Sequence, residues 1–158
     1  MSYLHIFLDI DGVIADFESH AVNTGIKDGK SLLYDRLDRE WWASIPEFSG
    51  AREFYDELKQ HGKVHFLSGV IMHPDCHSGK ADWVIGFTGE DKWILRDLIL
   101  CARKSKHLLA KSHTILIDDN TENVQAWKDA GGIAFLHTGG FEDTLIKIKT
   151  TVKNFKVK

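Results

Sequence analysis

The stretch FLDIDGV at residues 7–13 indicates both the fold and the chemistry of this chain. The run Tyr3–Asp9 is mostly apolar and is followed by the turn-forming pair Asp11-Gly12, so it predicts a buried strand. Asp9 and Asp11 stand two residues apart at the end of that strand, and their side chains can therefore lie on the same side. Two carboxylates this close repel each other unless a cation or a proton lies between them. Because an Asp-Gly pair after a strand is also an ordinary turn, the motif alone does not establish a site.

Short apolar runs alternate with amphipathic stretches along the rest of the chain. Further strands are predicted at Lys63–Leu67, Leu98–Ala102, His113–Ile117 and Ile133–Leu136. Helices are predicted at Ser49–His61, Ser78–Phe87 and Asn120–Ala130, with Ser49 and Asn120 as N-caps. Strands that alternate with helices predict βαβ units, and hence an α/β fold with a Rossmann-like parallel sheet flanked by helices.

One segment departs from this alternation. Residues 18–48 separate the first strand from the next regular unit, and Ser31–Ile45 has the apolar spacing of a helix. In an open parallel sheet, ligands bind outside the carboxyl ends of the strands. We therefore expect residues 18–48 to form a small helical cap over that edge, inserted in a single domain that spans residues 1–158.

A second pair of acids follows another predicted strand. Asp118 and Asp119 come directly after the apolar run ILI at residues 115–117. Because parallel strands end at the same edge of a sheet, this pair and the first one bring up to four carboxylates together. Such a concentration of acids is typical of a site for a hard divalent cation. Mg²⁺ fits because it prefers oxygen ligands and no set of His and Cys accompanies the acids.

Two further motifs are weaker when each is taken alone. Ser68-Gly69 follows a predicted strand, and a hydroxyl beside the amides of a glycine turn can hold phosphate oxygens. The basic run RKSK at residues 103–106 also follows a strand, and a lysine there could neutralise a phosphate. Seen singly, the first is more often a turn and the second a solvated loop.

Together, and in this order, these four features resemble the motifs of the haloacid dehalogenase superfamily of phosphotransferases. The likeness spans residues 5–140. Within the superfamily, the chain is similar to the 5'(3')-deoxyribonucleotidases and to their short, often phage-encoded members. The stretches that carry this likeness are DIDGVIADFE at residues 9–18, Trp42 with IPEFSGA at 45–51, KADWV at 80–84 and WKDAGGIAFLHT at 127–138.

The resemblance implies Mg²⁺-dependent hydrolysis of a phosphomonoester through an aspartyl-phosphate. Asp9 would be the nucleophile. Asp11 would protonate the leaving oxygen and later activate water, and its backbone carbonyl would reach the metal. Asp118 would complete the Mg²⁺ site, with Asp119 binding through a water molecule or positioning the loop.

The remaining roles follow from the same resemblance. Ser68 and the amide of Gly69 would hold the phosphoryl oxygens. The lysine of the family falls best on Lys106, with Lys104 as the alternative.

The implied substrate is a deoxynucleoside 5'-monophosphate. Phe17 and Trp42 lie near the predicted cap and would line the pocket. Lys80 could contact the substrate, although an ordinary surface position is the default for a lysine on a helix. The segment 18–48 is short for a nucleotidase cap. A sugar phosphate or a polynucleotide 3'-phosphate therefore remains open as the substrate, as does a non-catalytic module that binds phosphate or nucleotide.

Charge and composition narrow the class of partner. The net charge is −3, but five of the 20 basic residues lie in the last twelve positions, which leaves 15 basic against 23 acidic side chains in the preceding body. An acidic body favours a small phosphate monoester with a cation over a nucleic acid. No apolar run approaches the roughly 18 residues of a membrane span. Cys76 and Cys101 do not form a disulfide framework, so we expect a reduced, cytoplasmic protein.

Overall fold

The computed structural model describes residues 4–28 and 31–156 of the chain. The strands are β1 (His5–Leu8), β2 (Lys27–Asp28), β3 (Ser31–Leu32), β4 (Lys63–Gly69), β5 (Leu98–Cys101), β6 (Thr114–Asp118) and β7 (Ile133–Leu136). The α-helices are α1 (Phe17–Asn23), α2 (Arg39–Ala43), α3 (Ala51–Lys59), α4 (Pro74–Thr88), α5 (Thr121–Asp129) and α6 (Phe141–Lys156). Three 3₁₀ segments lie at Tyr34–Arg36, Lys92–Asp97 and Arg103–Leu109.

Five parallel strands form the central sheet, in the order β5-β4-β1-β6-β7. The central strand β1 pairs with both neighbours, so that Leu8 lies opposite Phe66 on one side and Ile117 on the other. The residues that follow β1, β4 and β6 therefore emerge at one edge. The predicted α/β fold, a parallel sheet flanked by helices, is confirmed.

The sheet is buried on both faces because its apolar side chains alternate. Ile6 and Leu8 belong to the larger hydrophobic cluster, which also takes in the buried face of α3. Phe7 points the other way and packs with Val124 and Trp127 of α5 in a second cluster. No helix among residues 4–28 and 31–156 has both the length and the apolar character needed to cross a bilayer.

The predicted central strands are present, with shifts at their ends. Strand β4 continues through Ser68 and Gly69, beyond the predicted end at Leu67, because these residues still pair with Leu100 and Cys101 of β5. Tyr3, the predicted start of the first strand, and both ends of the predicted domain 1–158 lie outside the described residues.

Two predicted helix starts are wrong. Gly50, not Ser49, precedes α3, with a φ of 84° and no capping hydrogen bond from a side chain. Helix α4 begins at Pro74 and not at Ser78, because a proline in the first turn has no amide to leave unsatisfied. The side chain of His73 caps α4 by accepting a hydrogen bond from the Asp75 amide at 3.2 Å. Asn120 is the N-cap of α5, as predicted.

The segment 18–48 is only partly helical. It holds most of α1, the two-stranded antiparallel sheet β2-β3, one 3₁₀ turn and the short helix α2. The prediction of a helix over Ser31–Ile45 is confirmed only for α2. This helix begins where Asp38 accepts a hydrogen bond from the Trp41 amide at 2.8 Å. Upstream, the cross-strand pairing of Leu32 with Lys27 replaces helical structure.

Helix α2 is held tightly against α4. A Cβ atom on Gly79 would lie 2.6 Å from the carbonyl oxygen of Arg39 and would collide with Trp42, so only glycine permits this approach. Arg39 also forms a two-pronged ion pair with Asp82 of α4, at 2.5 and 2.9 Å. These contacts fix the position of Trp42 relative to the sheet.

Candidate functional site

Three carboxylates meet where β1 and β6 end. Asp9 directly follows β1, Asp118 is the last residue of β6, and Asp119 begins the next loop. Each offers one oxygen, and the three oxygens lie within 4.8 Å of one another. Asp9 and Asp118 are buried and Asp119 is exposed, so the group is open on one side. This triad could hold a metal ion.

Gly12 allows Asp119 to reach the triad. Its φ of 78° lies in the left-handed region, which favours glycine, and a Cβ atom there would overlap the carboxylate of Asp119. The carboxylate of Asp11, in the same turn, points elsewhere. Its Oδ2 accepts a hydrogen bond from Lys80, and its Oδ1 is buried without a partner. The role of Asp11 at a metal therefore stays a prediction.

Lys106 links two of the three acids. It lies on the 3₁₀ segment Arg103–Leu109, is 2 % exposed, and places its Nζ 2.8 Å from Asp9 Oδ1 and 2.7 Å from Asp118 Oδ2. Lys104, its alternative in the sequence, is exposed. Of the two lysines, Lys106 is the one that the fold brings to the acids.

The burial of these charges perturbs their pKa values. Burial raises the pKa of Asp9 to about 7, and Asp118 adds to this rise while Lys106 opposes it. The pKa of Asp119 is raised as well, because the surrounding protein removes part of the water around its carboxylate and because the charge of Asp118 lies close. For Lys106, burial alone would lower the pKa of the ammonium, but Asp9 and Asp118 outweigh it and the pKa is raised. The three carboxylates of the triad outnumber the one ammonium group, that of Lys106, which contacts them. This excess of negative charge favours a bound cation.

A second buried lysine lies beside the first. Lys80 of α4 is 2 % exposed, donates a hydrogen bond to Ser68 Oγ at 2.8 Å and forms an ion pair with Asp11. Its Nζ also lies 5.0 Å from the centre of a Trp42 ring. The default expectation of an ordinary surface lysine is therefore wrong, since the face of α4 that carries Lys80 turns inward.

A cavity of about 400 Å³ opens beside the triad. Its lining includes four of the predicted catalytic and metal-binding residues, Asp9, Asp11, Lys106 and Asp119. It also includes the predicted substrate-binding residues Phe17, Trp42 and Gly69. Ser68, Lys80 and Asp118 are buried and do not contribute to the lining. Ser68 is thus close to the cavity through its neighbour Gly69, while its hydroxyl contacts Lys80.

Aromatic side chains form one wall of the cavity. The ring of Phe17 stacks on Trp42 with a centroid separation of 5.8 Å and meets Trp41 edge-on at 5.6 Å. Trp41 does not line the cavity, and its indole donates a hydrogen bond to Thr24 Oγ1 at 2.9 Å. Leu32 and Tyr34 extend the apolar lining from the 18–48 segment.

Several residues at the site were not predicted from the sequence, and Asn123 and Arg103 are the two that bear on its charges. The amide of Asn123 lies 3.2 and 3.1 Å from the two oxygens of Asp118 and holds that carboxylate in place. Its signal in the sequence is an Asn in the first turn of the helix that follows the acids. Arg103 lines the cavity next to Gly69, and it belongs to the basic run in which only the lysines were considered.

No protein-family model and no curated protein matches the chain. Among solved structures, it is similar to a hydrolase from Streptococcus pneumoniae TIGR4, with 13% sequence identity over 97% of this chain and 100% of that chain, at a TM-score of 0.49. At this level of similarity, the activity of that protein is not transferred to this chain.

Proposed function

We propose that this chain is a Mg²⁺-dependent phosphomonoester hydrolase that works through an aspartyl-phosphate on Asp9 and acts on deoxynucleoside 5'-monophosphates. One observation carries the proposal. A buried carboxylate at the end of the central strand faces a cavity, beside a buried lysine and two further carboxylates. Phosphoryl transfer needs in-line positioning and neutralisation of charge, and this arrangement offers both.

Asp9 is well placed to be the nucleophile. Its Oδ1 accepts hydrogen bonds from the Ile10 amide at 2.9 Å and from Lys106 at 2.8 Å, and these two contacts fix the orientation of the carboxylate. Oδ2 is then the oxygen that attacks phosphorus. The bond from Oδ2 to phosphorus forms as the bond from phosphorus to the ester oxygen breaks.

Asp9, Asp118 and Asp119 are the residues that would hold Mg²⁺. Three carboxylate oxygens within 4.8 Å of one another are the hard ligands that this ion prefers. When bound, Mg²⁺ would offset the repulsion between an anionic carboxylate and an anionic phosphate. Asn123 supports this role by fixing both oxygens of Asp118.

Asp11 is the group proposed to move protons. It donates a proton to the leaving ester oxygen, so that the alcohol departs neutral. In the second step it takes a proton from the water that attacks phosphorus, which releases inorganic phosphate and restores Asp9. Ser68 and the Gly69 amide are the proposed donors to the phosphoryl oxygens. Gly69 lines the cavity, whereas the Ser68 hydroxyl and Lys80 lie buried beside Asp11 and would have to turn toward a bound phosphate.

The walls of the cavity support a nucleotide as the substrate. Phe17 and Trp42 present aromatic surface within about 400 Å³, a volume that suits a small ligand. A 2'-hydroxyl that is buried against such a wall without a partner costs on the order of 1–3 kcal/mol. That cost corresponds to a rate difference of roughly 5- to 150-fold. Deoxynucleotides should therefore react faster than ribonucleotides, and sugar phosphates should react more slowly because they have no base to stack.

The test is kcat/KM for matched pairs of deoxynucleoside and ribonucleoside 5'-monophosphates, with a sugar phosphate and a 3'-phosphorylated oligonucleotide alongside. Each assay is run with Mg²⁺ and with EDTA. Asp9→Asn serves as the control for contaminating phosphatase, because its amide is nearly isosteric but cannot act as the nucleophile.

We expect hydrolysis that needs both Mg²⁺ and Asp9, with the deoxynucleotides preferred. A preference for the ribonucleotide or the sugar phosphate would overturn the substrate and leave the chemistry standing. Equal activity in the Asp9→Asn protein, or full activity in EDTA, would overturn the chemistry itself.

A further inference from the structure

One cation on the wall of the cavity has no counter-ion in the part of the chain that the structure describes. Arg103 lines the cavity just after β5 and is exposed there. Within residues 4–28 and 31–156, no hydrogen bond or ion pair engages its guanidinium. The carboxylate of Glu18, which also lines the cavity, is paired with Lys27 instead. The guanidinium of Arg103 can therefore bind an anion that enters the cavity.

A close approach to Gly69 fixes the backbone of Arg103. A Cβ atom on Gly69 would lie 3.2 Å from Arg103 Cβ and 3.3 Å from Arg103 Cα, which is closer than ordinary contact between carbon atoms. The missing side chain at residue 69 thus lets the two residues pack side by side. Because the Gly69 amide is a proposed donor to the phosphoryl group, the base of the Arg103 side chain lies next to the proposed phosphoryl site.

Arg103 and Lys106 lie on the same face of the 3₁₀ segment Arg103–Leu109. A 3₁₀ helix has three residues per turn, so side chains three positions apart eclipse each other, and its rise of about 2.0 Å per residue separates these two residues by about 6 Å along the axis. Lys106 contacts the proposed nucleophile Asp9 at 2.8 Å. Arg103 therefore stands one turn away from the cation at the reacting group. Lys104 projects from another face of the segment and does not line the cavity.

We propose that Arg103 binds a second phosphate of the substrate, and that the preferred substrate is a deoxynucleoside 3',5'-bisphosphate; this inference rests on the function proposed above. The 5'-phosphate reacts at Asp9 beside Lys106, and the 3'-phosphate lies one 3₁₀ turn away at Arg103. Arginine suits this role because its planar guanidinium can donate two parallel hydrogen bonds to one phosphate. The 5'-phosphoryl group passes to Asp9 Oδ2 and then to water, so the products are a deoxynucleoside 3'-monophosphate and inorganic phosphate.

The two walls of the cavity suit different parts of such a substrate. Phe17 of α1 and Trp42 of α2 form the aromatic wall, against which a base can stack. Arg103 belongs to the opposite wall, which the loops after the central strands form. The sugar joins the base to both phosphates, so a bisphosphate contacts both walls at once.

A nucleoside 5'-diphosphate fits this arrangement less well. Its two phosphates share one bridging oxygen, which is a shorter link than a sugar, whereas Arg103 and Lys106 stand a full turn apart. Its leaving group is also a phosphate, which departs as an anion and does not need the proton that Asp11 is proposed to donate. The geometry therefore favours a second phosphate on the 3' side of the sugar.

The test is calorimetric binding of thymidine 5'-monophosphate and thymidine 3',5'-bisphosphate to the Asp9→Asn protein in Mg²⁺, because this variant cannot consume either ligand. The bisphosphate should bind about 5- to 20-fold more tightly, as expected for a charged hydrogen bond that stays partly exposed to water. Arg103→Gln in the same background should remove this preference and change the affinity for the monophosphate by no more than about threefold. Lys104→Gln is the matched control: it removes the same charge from the adjacent position outside the cavity lining, and it should keep the preference.

A second measurement needs no substitution. The wild type should release inorganic phosphate from thymidine 3',5'-bisphosphate and form thymidine 3'-monophosphate as the first product. Formation of thymidine 5'-monophosphate instead would overturn the placement of the 3'-phosphate at Arg103.

The binding data separate this inference from the function on which it rests. The inference alone is overturned if the monophosphate binds and the bisphosphate binds no better, or if Arg103→Gln weakens both ligands equally. It is also overturned if thymidine 5'-diphosphate gains as much affinity from Arg103 as the bisphosphate does. If neither nucleotide binds in Mg²⁺, the proposed substrate class is wrong and the inference fails with it.

Discussion

Asp9→Asn should stabilise the metal-free protein at pH 8 while it abolishes turnover. The carboxylate of Asp9 is 6 % exposed, and its burial raises its pKa from 3.8 to about 7. At pH 8 the folded chain must therefore hold a charge that it disfavours. An asparagine of nearly the same shape removes that cost.

The magnitude and its sign follow from the shift in the Asp9 pKa. Below pH 3.8 the carboxyl is protonated in both the folded and the unfolded chain, so charge removal gains nothing. Between pH 3.8 and about 7 the unfolded chain is ionised and the folded chain keeps its proton, so the cost grows by about 1.4 kcal/mol per pH unit. Above pH 7 it reaches about 4 kcal/mol, an upper bound because Asp9→Asn also weakens the contact with Lys106. We expect a net gain of no more than about 4 kcal/mol, or at most roughly 8–16 °C in Tm for a domain of this size.

The assay is thermal unfolding of EDTA-treated protein from pH 4.5 to pH 8.5. The advantage of Asp9→Asn should be small at the acidic end and complete above pH 7, and Mg²⁺ should reduce it by binding the wild type better. Asp35→Asn is the control, because Asp35 is exposed on the 3₁₀ turn at Tyr34–Arg36. The reasoning is refuted if Asp9→Asn is no more stable than the wild type at pH 8, or if its advantage is the same at every pH.

Three further substitutions test the site and the 18–48 segment beside it. Asp11→Asn should lower kcat by about 10²- to 10⁴-fold in steady-state assays, since it removes the proposed acid and base. Lys106→Met should lower kcat/KM by about 10²- to 10³-fold while Lys104→Met changes it little, and the reverse result would reassign the lysine. Gly79→Ala should cost about 1–3 kcal/mol in urea unfolding and raise KM, because it displaces Trp42 from the cavity; unchanged KM would separate Trp42 from substrate binding.

The acids of the site could be predicted because their positions depend on local patterns. Asp9 and Asp118 each follow an apolar run short enough to be a buried strand, and parallel strands end at one edge. The position of the lysine that contacts these acids could be narrowed only to Lys106, the better match, or Lys104. The segment Arg103–Leu109 is a 3₁₀ helix of three residues per turn, and no apolar period in the sequence sets its inward face.

The burial of Lys80 and the internal structure of the 18–48 segment could not be predicted, since long-range contacts decide both. A lysine on a helix is buried only where a distant partner compensates its charge, and Asp11 lies 69 residues away in sequence. The apolar spacing of Ser31–Ile45 suits a helix, but cross-strand pairing by β3 and the Asp38 cap divide it into separate elements. The sequence pattern of a segment shows how its apolar residues are spaced, but it does not show which distant residues they pack against.

The charges at the site imply an order of binding. Four carboxylates stand against the two buried ammonium groups of Lys80 and Lys106, which leaves an excess that one divalent cation would balance. A phosphate monoester brings further negative charge. Among the described lining residues, Arg103 is an additional cation and Glu18 is an additional anion. Without the metal, the substrate would enter a cavity that already repels it. We therefore expect Mg²⁺ to bind first, and nucleotide affinity measured in EDTA should fall even for Asp9→Asn, which cannot react.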